Sequence, residues 1–445
     1  MNAVTELSED FNIYYNKYKE IEVKKENKKF ANDFIWNTLG TGLNSFNSLF
    51  FLIIVTRVNG GHDAGIFSIA YSTALILYTI GLYSGRLCQV TDIENKIKDR
   101  DYILNRTITC ILMVFFGAGF LIVKQYSAYK TTVFILLCIF KATEAFAEIL
   151  YGIIQKNDLL YRVGQSLTMK SLCGIITFLI IDLVTGDLIL ACISMILINI
   201  VTMITFDYLF VSKKLIDPSK SEIRNVFTIF KSEFFVFANS FLGIYVLNAP
   251  KYAIDSFLTE ELQAIYGYIV MPGTVMVLFA QFVILPFLNT LKELYAKKDV
   301  TNFKAIIRKV RLFVIAFGIF AVLCAYFLGP EVLGIIYGEN LKEYRVDLSL
   351  IIGAYIFYSI SYVNLVVLTT MRTTFKQFVV YMLTALIALV GSNLYVKSFG
   401  VHGGAYSCAT TLILQFIMYT ILTILTIKKF EREALNETST DSSKL

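Results

Sequence analysis

Lys141, Glu144 and Glu148 stand three and four residues apart within an apolar run of the chain. On a helix that spacing puts all three on one face. A second run holds Asn248, Pro250, Lys251, Tyr252 and Asp255, with Lys251 and Asp255 four apart and able to pair. A third carries Asn37, Thr41, Asn44 and Ser48 as a polar stripe, with Asn47 beside it. An ionisable group at the bilayer centre costs roughly 2.5–17 kcal/mol, so such groups usually face a wet cavity or pair with each other. Lys141 and Lys251 are the cations a cavity would offer to an anionic cargo. Glu144, Glu148 and Asp255 could pair with them or carry a coupling proton. Plainer readings compete. The Lys141–Glu144 pair could simply neutralise itself and hold helices together, Lys251 could snorkel outward, and the asparagine stripe could be glue between helices.

Arg86 and Asp92, candidates for an inner gate, fall with Glu94 and Arg106 where ordinary loop charge is the competing reading. Lys170 and Asp207 lie near the inner end of their runs, where snorkelling is expected. His62 and His402 fall in outer loops and suggest no metal site, and the seven cysteines are scattered without a C-x-x-C. The chain has no H-E-x-x-H and no Walker G-x-x-x-x-G-K-[ST]. No catalytic site and no bound cofactor are expected, and the chain is read as a non-enzyme.

The elements that must position these residues are apolar runs of the length that crosses a bilayer, about 20 residues. We place twelve. Six form a first half at 34–56, 66–84, 107–123, 131–154, 166–184 and 188–211, and six a second half at 234–256, 266–286, 312–327, 348–371, 378–396 and 404–427. The third and ninth are short and can extend. Residues 1–33 form a basic N-terminal segment, read as an interfacial amphipathic helix; 212–233 form a linker and 428–445 a tail. The expected fold is an all-α polytopic membrane protein, with about twelve helices in two six-helix bundles around a central cavity.

Charge orients the chain. Of 40 Lys and Arg, 31 fall on the side of the two termini, six on the other and three inside spans, namely Lys141, Lys170 and Lys251. By the positive-inside rule both termini are cytoplasmic. The net charge of +6 therefore answers to anionic lipid and does not point to nucleic acid. No hydrophilic stretch has room for an ATPase domain. The halves also echo each other faintly: Ala64-Gly65-Ile66-Phe67-Ser68 opens span two, and Ala264-Ile265-Tyr266-Gly267 opens span eight. Six spans per half make a parallel repeat about an axis along the membrane normal.

Four segments carry a resemblance. They are Arg57-Val58-Asn59-Gly60-Gly61 with its Gly65-Ile66-Phe67-Ser68 re-entry, Gln89-Val90-Thr91-Asp92, Tyr151-Gly152-Ile153-Ile154-Gln155-Lys156-Asn157 and Asn248-Ala249-Pro250-Lys251-Tyr252-Ala253-Ile254-Asp255. In this order the chain resembles bacterial polysaccharide flippases of the Wzx type, within the multidrug/oligosaccharidyl-lipid/polysaccharide exporter superfamily. The lipid II flippase branch typically has fourteen spans and several arginines in its first two; here only Arg57 qualifies. The resemblance implies movement of an undecaprenyl-diphosphate-linked repeat unit from the inner to the outer leaflet of the plasma membrane, for capsule, exopolysaccharide or O-antigen-like polymer. It also implies polymerase and chain-length proteins as partners, and drive from a proton, sodium or the membrane potential. An ion-coupled drug exporter and a membrane glycan polymerase or ligase are the alternatives.

Overall fold

A computed structural model describes residues 2–92, 97–214 and 221–442, with the backbone alone for 2–28, 30, 87, 91, 214 and 436–442. All the described secondary structure is helical. The first half comprises α1 (Asn2–Val58), α2 (Gly61–Leu82), a short α3 (Gly85–Thr91), α4 (Asp99–Lys124), α5 (Ala128–Lys156), α6 (Leu160–Thr185), α7 (Leu188–Thr202) and α8 (Leu209–Lys214). The second comprises α9 (Ile223–Phe257), α10 (Glu260–Ile284), α11 (Leu288–Ala296), α12 (Val300–Tyr337), α13 (Arg345–Thr370) and α14 (Thr374–Ser442).

Among the described residues, ten helical stretches are long and apolar enough to cross a membrane. α14 is one of them, yet Gly400 breaks it with φ 60° and ψ −135°, so it supplies two spans. α5 has the length, 29 residues, and falls outside the ten because it is charged. Counting both gives the expected twelve. The short third and ninth spans do extend, to Asp99–Lys124 and Val300–Tyr337. The basic stretch 287–311, read as a loop, is mostly helix, so its cations hold fixed positions on α11 and α12. The N-terminal segment is helical and continuous with span one. Its aromatic side chains before residue 29, Glu94 and linker residues 215–220 lie outside what is described.

Helix ends follow local chemistry. Ser127 accepts from the Lys130 amide to start α5, Asp187 caps α7 and Asp299 caps α12. Gly186 and Gly338 stop α6 and α12 in the left-handed region that glycine enters freely. α1 crosses α6 where Gly40 meets Gly164, and a Cβ on either would strike the other helix. Gly42, two residues on from Gly40, faces open space.

The loops divide into two faces. The basic face carries the α5–α6, α11–α12 and α13–α14 connections and the start of α9; the tight-turn face carries Gly60, Gly186, Gly338 and Gly400. Helices of each half pack mainly on one another: α2 on α5 and α1 on α6 in the first, α9 and α13 on α14 in the second. Across the halves, α2 packs on α10 and α9. The two echoing re-entry segments meet here, with Gly65 against the Glu260 backbone and Gly267 against Ser68. Ser68 and Gly267 hold matching places in the two echoing segments.

Candidate functional site: a cationic cleft between the halves

The polar stripe of α5 runs Lys141, Glu144, Glu148, Gln155, from mid-helix to the basic face. Fourteen residues of helix make that about 21 Å. Lys141 is buried and bonds Glu144 at 2.7 Å. Its ammonium lies 4.6 Å from the centre of the Tyr71 ring and 5.6 Å from Tyr78, a cation–π cage. One residue along α2 from Tyr71, Ser72 accepts a 2.8 Å hydrogen bond from Lys251, which reaches in from α9. The structure thus brings Lys141 and Lys251, from different halves, to consecutive residues of one helix.

Nearer the basic face the stripe opens into a cavity of about 450 Å³, walled by Arg86, Arg106, Glu148 and Gln155 from the first half and Val236 and Ser240 from α9. Arg86 bonds Glu148 at 2.8 Å and Gln155 at 3.0 Å. Its position depends on strained backbone: Tyr83 and Ser84 are both left-handed, at φ 39° and 55°, and turn α2 into α3. Arg106 is 1% exposed, donates to the Gly81 carbonyl and leaves Nε and Nη2 without a hydrogen-bond partner. The ordinary loop-charge reading of Arg106 is therefore wrong, because α4 begins at Asp99 and carries it inward. Arg86 and Arg106 wall this cavity with Glu148, while Lys141, paired with Glu144, and Lys251, bonded to a hydroxyl, lie buried deeper; among the described residues these four cations have two carboxylates between them.

Asp255 lies elsewhere. It was expected to pair with Lys251 in the cavity. Instead it is completely buried at the tight-turn face, 2.6 Å from Lys130, 2.9 Å from Lys124 and 2.7 Å from the Tyr126 hydroxyl. Lys130 also binds Glu260 at 2.6 Å. Four residues along α9 point Asp255 toward α4 and α5, which outbid Lys251 with two cations and a hydroxyl. Arg57 strengthens the same seam by donating to the Ile335 and Ile336 carbonyls at the end of α12, where the helix dipole favours a cation. This knot ties the halves shut on the tight-turn face. On the basic face the described ties are those of α9, through Tyr83 stacked on Phe237 at 4.5 Å and Asp101 holding Asn225.

Other expectations change as well. Asn47 is buried and bonds Ser171 of α6 at 3.2 Å and Asn44 at 3.3 Å, so this part of the stripe is glue between helices. Asn37 lies at the α1–α6 crossing beside Gly164. Asn248 turns back to the Ile244 carbonyl of its own helix, a short polar side chain satisfied locally. Asp92 closes the end of α3 and accepts from the Ile97 amide, outside the residues that wall the cleft. Lys170 and Asp207 do not snorkel: they form a buried 2.8 Å pair joined by Tyr151 and Ser166. A π-helical insertion at Met203–Tyr208 brings Asp207 into this network. His402 pairs with Asp347, and among the described residues no His, Cys, Asp and Glu cluster could hold a metal. Tyr71, Ser72, Tyr78 and Lys130 were missed by sequence reasoning, because neutral or outer-loop residues carry no signal of an intramembrane site.

The chain is a multi-pass membrane protein of two six-helix halves, tied together on one face, with a cavity between them walled by Arg86 and Arg106. Its fold is similar to those of solved members of the multidrug/oligosaccharidyl-lipid/polysaccharide exporter superfamily, in agreement with the resemblance read from the sequence. It is similar to an inward-facing multidrug resistance MATE transporter of that superfamily, with TM-score 0.67, 12% identity, and coverage of 89% of this chain and 96% of the other. Lipid II flippase MurJ in an inward closed conformation gives TM-score 0.66 at 15% identity, over 90% of this chain and 91% of MurJ. In sequence the chain is 24% identical over 376 residues to the capsular polysaccharide biosynthesis protein CapF of Staphylococcus aureus, covering 83% of this chain and 92% of CapF. No family model matches it.

Proposed function

We propose that this protein is a flippase for a polyprenyl-diphosphate-linked oligosaccharide, carrying the repeat unit from the cytoplasmic to the outer leaflet of a bacterial plasma membrane during capsule, exopolysaccharide or O-antigen-like polymer synthesis. The observation that carries this reading is the excess of cations along the α5 stripe and its cavity, where Arg86 and Arg106 wall the cleft, Lys141 and Lys251 lie buried deeper, and the described carboxylates beside them are Glu144 and Glu148. A diphosphate diester brings two negative charges. Each sugar hydroxyl taken into a medium that cannot hydrogen-bond costs about 4–8 kcal/mol. The glycan therefore needs a polar path, which the α5 stripe supplies, while the polyprenyl tail stays in lipid through a gap between the halves. A cationic drug would meet repulsion in the same cleft.

The cargo enters from the basic face, binds the cations and crosses when the knot at Asp255 opens. The bilayer voltage favours this direction. Two negative charges leaving a cell at 100 mV gain about 4.6 kcal/mol, and coupling to a proton or sodium ion belongs to the same proposal. Polymerase and chain-length proteins would take the product. To test the reading, a strain lacking the gene is scored for labelled lipid-linked repeat units shielded on the cytoplasmic face. The wild-type gene should move the label outward and restore surface polymer. Unchanged leaflet distribution in the deletion strain, with polymer of altered length, would replace the flippase by a polymerase or ligase.

A further inference from the structure

A second cationic feature lies away from the cleft. The start of α12 and the distal arm of α14 enclose a groove of about 1610 Å³ on the basic face, with seven basic and two acidic residues among its walls. Both acids are engaged: Glu431 binds Lys304, and Asp299 caps α12 by accepting from Asn302. Arg308 and Arg432 are exposed and have no acidic partner among the described residues. At the floor, Arg311 donates to Asn364 of α13 and leaves its Nε buried without a partner.

The order of residues along each wall identifies the ligand. On α12, Arg308 is followed one turn deeper by Leu312, which is 57% exposed. On α14, Arg432 and Lys428 are followed toward the membrane by Ile424, which is 46% exposed. Each wall therefore has cations at the rim and apolar side chains about 6 Å further in. A free phosphate would use only the rim. A lipid uses both, headgroup on the arginines and acyl chains along the leucine and isoleucine. The groove shares no wall residue with the cleft.

We propose that this groove binds an anionic phospholipid carrying two phosphates, of the cardiolipin type, from the leaflet on the basic face. The surplus of basic over acidic residues exceeds what one phosphate neutralises, and basic pockets between spanning helices suit such headgroups. The inference does not depend on the cargo of the cleft. The test is native mass spectrometry of the full chain in neutral detergent, with tetraoleoyl cardiolipin, phosphatidylglycerol or pyrophosphate added separately. Cardiolipin should be retained preferentially, one per chain. Arg308→Gln with Arg432→Gln should weaken it roughly 30-fold, two cations at the usual value near a charged leaflet. Both residues are exposed, so the double variant keeps its packing. Arg224→Gln with Lys376→Gln removes equal charge from exposed sites outside the groove and should leave binding unchanged. Equal weakening in that control would reduce the effect to diffuse surface charge. Phosphatidylglycerol binding as well as cardiolipin would refute two-phosphate recognition, and pyrophosphate binding as well would refute a lipid site.

Discussion

Lys141 and Lys251 converge on Tyr71 and Ser72, but their loss has different consequences. Lys141 neutralises Glu144 in a buried site. Lys141→Ala should cost about 3–5 kcal/mol, because it leaves a buried carboxylate unpaired. Thermal unfolding in detergent should show most of that recovered in Lys141→Ala with Glu144→Ala. Lys251 has a hydroxyl as its hydrogen-bond partner and no carboxylate among the described residues. Lys251→Met therefore removes charge with little loss of packing. Its melting temperature should stay within a few degrees of wild type while surface polymer falls at least tenfold, by about 1.4 kcal/mol or more of transport free energy. Full transport by Lys251→Met would remove this lysine from the path. The two lysines were legible in the sequence because charge inside an apolar run is conspicuous. Their aromatic and hydroxyl partners were not, since Tyr71, Ser72 and Tyr78 look like any other residues of span two.

At the scale of helices, two features set what can move. The Asp255 knot joins α4 and α5 to α9 and α10 across the tight-turn face. Asp255→Asn keeps the shape and removes the charge, so Lys124 loses its counter-ion and Lys130 is left with Glu260 alone. In a cysteine-free background with Ser72→Cys as reporter, a membrane-impermeant maleimide applied from the tight-turn face should label the Asp255→Asn variant several-fold faster. Unchanged labelling would mean that the seam is held by packing alone. The α1–α6 crossing is the opposite kind of element, one that stays fixed. At Gly164 a side chain would meet the Trp36 and Asn37 backbone. Gly164→Val should lower stability by about 1–3 kcal/mol or more through overpacking, read as a lower melting temperature. The sequence places such glycines on a helix face, but whether another helix sits opposite depends on the bundle. Gly40 has a close neighbour, and Gly42, two residues on, has none.

For the whole molecule, the two echoing segments are in contact. A Cβ built at Gly267 would lie 3.5 Å from the Ser68 Cβ, within the usual span of a disulfide, about 3.5–4.5 Å. Ser68→Cys with Gly267→Cys should therefore oxidise readily, lock the halves together on the tight-turn face and stop transport until a reductant is added. Oxidation without loss of transport would show that this seam never opens. The amino-acid sequence by itself determined the class of this protein: twelve spans, their likeness between halves, the side on which basic residues gather, and lysines that need partners inside the membrane. These follow from one-dimensional quantities, since hydropathy needs only length and helical spacing assigns a face. The tertiary structure alone decided what each face meets. It took Asp255 from Lys251 and gave it to Lys124 and Lys130, buried Arg106, tied Asn47 to Ser171 and paired Lys170 with Asp207. The reason is physical: a helix fixes the direction of its own side chains, whereas the partner of a buried charge is whichever group on a neighbouring helix lowers its desolvation cost most.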